Sequence, residues 1–341
     1  MPMTDQPVLD AILGREVEKV PVAPLVTLPH ASRIYGIPSF EYIFDSKKYA
    51  MAQVHARRFY DYDWVFAHQI FQGLTAEERK TVKERGDHFT FALELGTKFK
   101  VPKNDAPFVS EKAVKNKEDI NKLKVPDTFH PERLRPIEMM KEEEDFVCGN
   151  IRCPFTLAAT YLYDTESFLM DLKKDEAFVH RLLEFALKYC VESGKAQIEA
   201  GVDALFIEDP SASPNVISPE TFRKIVLPYE KRLVKSLRKK VPIVFHICGD
   251  TTQILDDMIG TGANCISLDE CMDMEEAHKK TTVWGNVAPK MLVNEKPERI
   301  REISRGIAAL GKGVVLSSGC VVPAIAKPEN IKEMVRAAHG D

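Results

Sequence analysis

From residue 204 onward the chain repeats one pattern five times: a short apolar run ending in polar side chains, followed by a segment with helical periodicity. The runs are "ALFIED" (204–209), "PIVFHIC" (242–248), "NCISLDE" (264–270), "TTVWGNV" (281–287) and "GVVLSSGC" (313–320). Strand-then-helix repeats bury both faces of a parallel sheet, because every return to the same edge needs a crossover helix. The sheet is therefore either closed as a barrel or open and doubly wound. No G-x-G-x-x-G turn follows any of the runs, which weakens the dinucleotide-binding alternative. The helix expected after Ser218, with Pro219 and Glu220 in its first turn, meets Pro228 and should kink or break there.

The N-terminal half extends the same account less regularly. A helix is expected at 5–15, a strand at "VPVAPLV" (20–26), a helix at "YAMAQVHARRFY" (49–60) and a strand at "DWVFAH" (63–68). Residues 98–145 are charged and dotted with proline, an elaborated loop region with a helix near 131–144. "FVCGNI" (146–151) resumes the strands, and a long helix follows from Glu176. Eight such units fit 341 residues, so the expected architecture is one (β/α)8 TIM barrel over residues 1–341 with N-terminal elaborations.

Bulk properties exclude several function classes. A net charge of −4 advertises no basic face for nucleic acid or anionic lipid. No apolar run approaches the roughly 18 residues that span a bilayer, and the N-terminus lacks a signal core, so a cytoplasmic protein is expected. The seven cysteines include no C-x-x-C pair, and their odd number argues for free thiols or metal ligands over a disulfide framework.

Functional groups of parallel barrels collect at the C-terminal ends of the strands. Those ends carry Glu208 and Asp209, His246 and Cys248, Asp269 and Glu270, Asn286, and Ser317, Ser318 and Cys320. Side chains two apart on a strand share a face, so His246 and Cys248 can aim at one point, and Cys320 can complete a His-Cys-Cys set. Three nitrogen and sulfur ligands with a fourth position open describe a catalytic zinc site, with Glu270 a displaceable occupant of that position. Two thiolates cancel the ion's charge and leave a centre suited to an incoming thiol. The bland alternatives stand beside this: a lone H-x-C pair more often simply packs, and Glu208 and Asp209 can cap the turn that begins at Pro210 and Ser211. Cys148, Cys153, Cys190, Cys265 and Cys271 read as small core or cap residues.

Five segments carry a resemblance: "PFTLA" (154–158), "DPSASPNVISPETFRKIVLPYEKRL" (209–233), "HICGDTTQIL" (246–255), "WGNVAP" (284–289) and "SSGCVVP" (317–323). In these the chain resembles the uroporphyrinogen decarboxylase superfamily, and within it the zinc-dependent methylcobamide:coenzyme M methyltransferases. The resemblance implies a TIM barrel whose zinc ligands are His246, Cys248 and Cys320, with Glu270 where related zinc methyltransferases place a carboxylate. It implies methyl transfer between a methylcobamide (cobalamin-type) cofactor on a small corrinoid-binding partner protein and a small, coenzyme M-like thiol. Glu208, Asp209 and Asn286 would position substrate at the mouth, and no separate base is assigned, because zinc itself favours the thiolate. The founding decarboxylase activity fits badly: the arginine-rich N-terminal stretch is replaced by "PLVTLPHASRIYG", and in "VFAHQI" His68 stands where the catalytic aspartate would fall. The alternatives are a corrinoid-dependent demethylase of aromatic methyl ethers, amines or thioethers and, further off, a uroporphyrinogen decarboxylase or a non-catalytic barrel that docks a corrinoid protein.

Overall fold

The computed structural model describes residues 6–68, 73–103 and 105–340. Strand β1 (Val65–Ala67) opens a parallel sheet; Gln69 and Ile70 of the segment quoted after it lie outside the described residues. Four antiparallel strands then intervene: β2 (Lys83–Arg85), β3 (His88–Ala92), β4 (Lys98–Pro102) and β5 (Phe108–Glu111). The parallel sheet resumes with β6 (Val147–Arg152), β7 (Ala204–Glu208), β8 (Ile243–His246), β9 (Cys265–Ser267), β10 (Val283–Val287) and β11 (Val314–Ser318), in unbroken sequence order.

The apolar segment 20–26 closes this sheet. The Ala23 amide donates to Leu316 O (2.8 Å) and the Leu316 amide to Pro21 O (2.9 Å), while on its other side the Asp63 amide donates to Val22 O (2.8 Å). Residues 21–23 thus stand as an eighth stave between β11 and the approach to β1. Pro21 and Pro24 lack N–H donors, which is why this stave forms a bridge and not a full ladder.

Alternation along the strands fills the barrel. Trp64 and Phe66, two apart, face inward, where Trp64 packs on Trp284 with centroids 4.8 Å apart and Phe66 on Phe206 at 5.3 Å. These four rings, all nearly inaccessible, make an aromatic layer below the mouth. One register row lies at or above it: Arg152, Glu208, His246, Ser267 and Trp284 are successive partners across β6 to β10.

Two expectations need correction. Residues 98–145 are not a loop region with one helix: β4 and β5 belong to the antiparallel sheet, and Pro131–Glu143 is the helix. The sheet is pinned beside the barrel, with Phe91 stacked on Phe99 at 5.4 Å and the Thr97 hydroxyl donating to Tyr161 O. Pro228 does not end its helix. Ser218 caps the start by accepting from the Thr221 amide (3.1 Å), Phe222–Val226 winds as a wider π-turn, and Leu227–Leu237 continues as α-helix. The wider turn takes up the missing donor and the ring of a proline in mid-helix. Among the described residues no helix is long and apolar enough to cross a membrane.

Candidate metal centre and active site

β8 delivers His246 to the mouth of the barrel, and Cys248 follows two residues on with the same facing. Gly249 then turns the chain at φ +82°, and its amide donates to Asp269 Oδ2 at 2.6 Å. Cys320 comes from the segment after β11, where Gly319 packs so closely on the backbone of residues 269–270 that a Cβ there would lie 2.6 Å from Glu270 N.

These elements bring the three ligand atoms within 4.8 Å of one another. His246 Nε2 lies 3.3 Å from Cys248 Sγ, and the two sulfurs are 3.9 Å apart. A tetrahedral zinc with ordinary bond lengths separates a nitrogen and a sulfur ligand by about 3.6 Å and two sulfurs by about 3.8 Å. The triangle has the size the ion requires. The other imidazole nitrogen is occupied: Nδ1 lies 3.0 Å from Ser267 Oγ and 3.3 Å from Ser267 O. Such a hydrogen bond fixes the ring and presents Nε2 to the ligand position.

The electrostatics agree. A hydrogen bond from Cys248 holds the Cys320 thiol down to about 5 against the cost of burial, with His246 adding to the effect. Cys248 moves the opposite way, raised by the same bond and by burial. Burial opposes a charged His246, yet the Cys320 sulfur raises its pKa. The three groups therefore compete for protons, a donor set that a dication would satisfy in their place.

Beside the triangle, Glu208 accepts from Arg152 Nη1 (2.6 Å) and from Asn150 Nδ2 (2.6 Å), and His68 Nε2 lies 3.2 Å from its Oε1. His68 Nε2 is also 3.2 Å from Arg152 Nη2. Burial works to protonate Glu208, but the Arg152 charge, helped by the hydrogen bonds from Asn150 and with His68, holds its carboxyl well below the usual carboxylate range. Arg152, His68 and Asn150 were not singled out from the sequence as site residues. The register row through β6 and β7 is the signal that finds Arg152, since Arg152 and Glu208 are direct partners.

Strand parity sorts the remaining candidates. Phe206 and Glu208 face the barrel interior, so Asp209 faces the helices: it is fully buried and accepts from the Thr156 amide (2.8 Å) and hydroxyl (2.5 Å). Its carboxylate lies with Cys153 and Glu230 in a second buried cluster, away from the mouth. Ser267 faces His246, but Asp269 and Glu270 follow the end of their strand, where parity no longer places them. Neither carboxylate converges with the ligand triangle: Glu270 sits 2.9 Å from Lys290 Nζ, and Asp269, which accepts from the Gly249 and Glu270 amides (2.6 Å each), is among the charges acting on both His246 and Cys248. Asn286 stands at the mouth, but its amide is committed to Asp269 O (3.0 Å) and Met272 O (2.8 Å), so it braces the loop that carries Asp269.

A parallel barrel with a histidine and two cysteines gathered at its C-terminal mouth defines the class of protein: an α/β-barrel whose mouth carries a cluster that could hold a metal ion. The family model for uroporphyrinogen decarboxylase (URO-D) matches residues 86–340. This chain belongs to the uroporphyrinogen decarboxylase family. The methylcobamide:CoM methyltransferase MtbA of Methanosarcina acetivorans is 34% identical to it over 244 residues, 68% of this chain and 71% of that one. A uroporphyrinogen decarboxylase of Prochlorococcus marinus is 32% identical over 225 residues, 61% of this chain and 64% of that one. A solved methyltransferase from Methanosarcina mazei superimposes with a TM-score of 0.81 over 97% of this chain and 96% of its own, at 22% identity, a likeness of fold.

Proposed function

We propose that this protein is a zinc-dependent corrinoid methyltransferase that moves a methyl group between a methylcobamide on a partner corrinoid protein and a small thiol. Relatives of both activities stand at similar identity, so the residues must decide between them. The observation that carries the reading is the convergence of His246, Cys248 and Cys320 on one point at zinc-ligand spacing. Porphyrinogen decarboxylation has no use for such a triangle.

Zinc held there would supply Lewis acidity that keeps a thiol as its thiolate at neutral pH. The chain's own residues do the rest. His246, locked by Ser267, and the two cysteine sulfurs fix where the thiol sulfur sits. Asp269, whose charge acts on both His246 and Cys248, is the carboxylate suited to a displaceable fourth position, in place of Glu270. Glu208, tied to Arg152, Asn150 and His68, forms a rigid charged wall beside the thiol. A methylcobamide on the partner would supply the methyl group as an electrophile, and a thiol sulfur held beside His246, Cys248 and Cys320 would receive it with Glu208 as the neighbouring wall.

Metal analysis and a methylcobalamin assay test this. The expected result is about one zinc per chain, lost in Cys320→Ala, and thiol-dependent loss of the methylcobalamin spectrum. Zinc with no turnover on any thiol would overturn the thiol reading in favour of demethylation; a purified protein that binds no zinc would overturn the metal centre itself.

A further inference from the structure

Cys320 reaches the triangle from a different part of the chain than its two companions, and the helix that holds it there lies in the N-terminal third. After β11 the chain runs through residues 319–326 without regular structure. The preceding stave and helix Leu28–Tyr35 grip this run on both sides of Cys320. The Leu25 amide donates to Ser318 Oγ (3.1 Å) and the Val322 amide to Leu25 O (3.0 Å). Beyond them His30, fully buried, places Nδ1 3.0 Å from Pro323 O and Nε2 2.7 Å from the Tyr60 hydroxyl. A carbonyl only accepts, so Nδ1 carries the proton and Tyr60 donates to Nε2. Arg33, one helical turn on and exposed, donates from Nη1 to Ala324 O (2.8 Å).

We propose that His30 is a positioning residue for the metal centre, acting through Cys320, with Arg33 as its outer support; this rests on the zinc reading above. Loop carbonyls at 323 and 324 have no strand ladder to hold them, so a neutral imidazole of single tautomer, itself fixed by Tyr60, sets how far the Cys320 sulfur reaches. Partners that hydrogen-bond the ligands themselves typically govern metal affinity by tenfold or more; His30 stands one step further out, so a smaller effect is expected from it. The role lies in the part of the chain that departs most from the family's sequence pattern, and none of the ligands themselves reveals it.

The test is zinc affinity of the full chain by competition with a chromophoric chelator, for His30→Phe, Arg33→Met and each combined with Cys320→Ser. The expected result is a severalfold loss for His30→Phe, a smaller loss for Arg33→Met, and no further loss from either change once Cys320 is serine. Full additivity with Cys320→Ser would show that the residues act by general stability and would overturn the inference, as would affinity equal to the parent. Should His30→Phe fail to fold, Arg33→Met, on the surface, decides by the same criteria. A parent protein without zinc would sink the metal reading and this inference together; a zinc-loaded parent whose variants bind equally sinks the inference alone.

Discussion

Replacing Glu230 by glutamine should stabilise the protein at alkaline pH and leave it little changed in acid. Asp209 and Glu230 are both fully buried, against each other and the Cys153 thiol, and no cation or backbone amide satisfies Asp209 Oδ2 or either Glu230 oxygen. Two carboxylates so placed cannot both ionise, and they share a proton. Burial is the main cause that raises Asp209 from 3.8 to about 6, and burial with Asp209 as neighbour drives Glu230 well above its ordinary value. The folded state thus binds protons more tightly than the unfolded chain. The pair is fully compatible with folding below pH 3.8, and stability falls as pH rises from there through about 6. For Asp209 alone that shift is worth about 3 kcal/mol. The side-chain amide of the Glu230→Gln variant would donate an N–H to Asp209 with no proton to lose. For a chain this long, about 3 kcal/mol corresponds to roughly 4 °C in Tm. Thermal melts of both proteins from about pH 3.5 to pH 8 measure it: the curves should converge at the acid end, below 3.8, and separate as pH rises through about 6, with the variant higher. Parallel curves, or a variant less stable at pH 8, would refute the shared proton.

Three further outcomes follow from the site. Glu208→Gln strands the buried Arg152 charge and should cost about 3 kcal/mol in urea unfolding; because the Glu208 pKa is depressed, its contribution is present above pH 4.5 and lost as pH falls through the depressed value, so the variant's acid limb should be flatter. Asp269→Asn should weaken zinc binding severalfold in a chelator competition while Glu270→Gln leaves it within a factor of two; the reverse ranking would restore Glu270 to the fourth position. Gly319→Ala forces a Cβ to 2.6 Å from the Glu270 backbone nitrogen, and should lower both zinc content and Tm, read by metal analysis and calorimetry.

The barrel strands were legible because each is an apolar run with a polar end, and period-two alternation explains the inward His246 and Cys248. The antiparallel sheet was passed over because its strands are rich in charge, although "HFTFA" and "KFKVP" alternate, and Phe91, Phe99 and Val101 are the buried members. Adjacent acids at strand ends misled for a different reason. Asp209 sits one residue past an inward position, and a shift of one residue reverses facing. Counting in twos from Phe206 assigns Glu208 to the mouth and Asp209 to the outside, whereas Asp269 and Glu270 follow the end of their strand, where the count no longer holds. Arg152, His68 and Asn150 needed the lateral register between strands, which no single run of sequence contains.

Closing the barrel joins partners very far apart: the Leu25 amide and the Ser318 hydroxyl it meets are 293 residues apart in the chain. Contacts of such separation form late, because most of the chain's entropy must be surrendered before they return anything. The closure that brings Cys320 to His246 and Cys248 is of this kind: a chain in which it has not formed would hold two of the three groups near one strand while the third waits on the far side of the unclosed sheet.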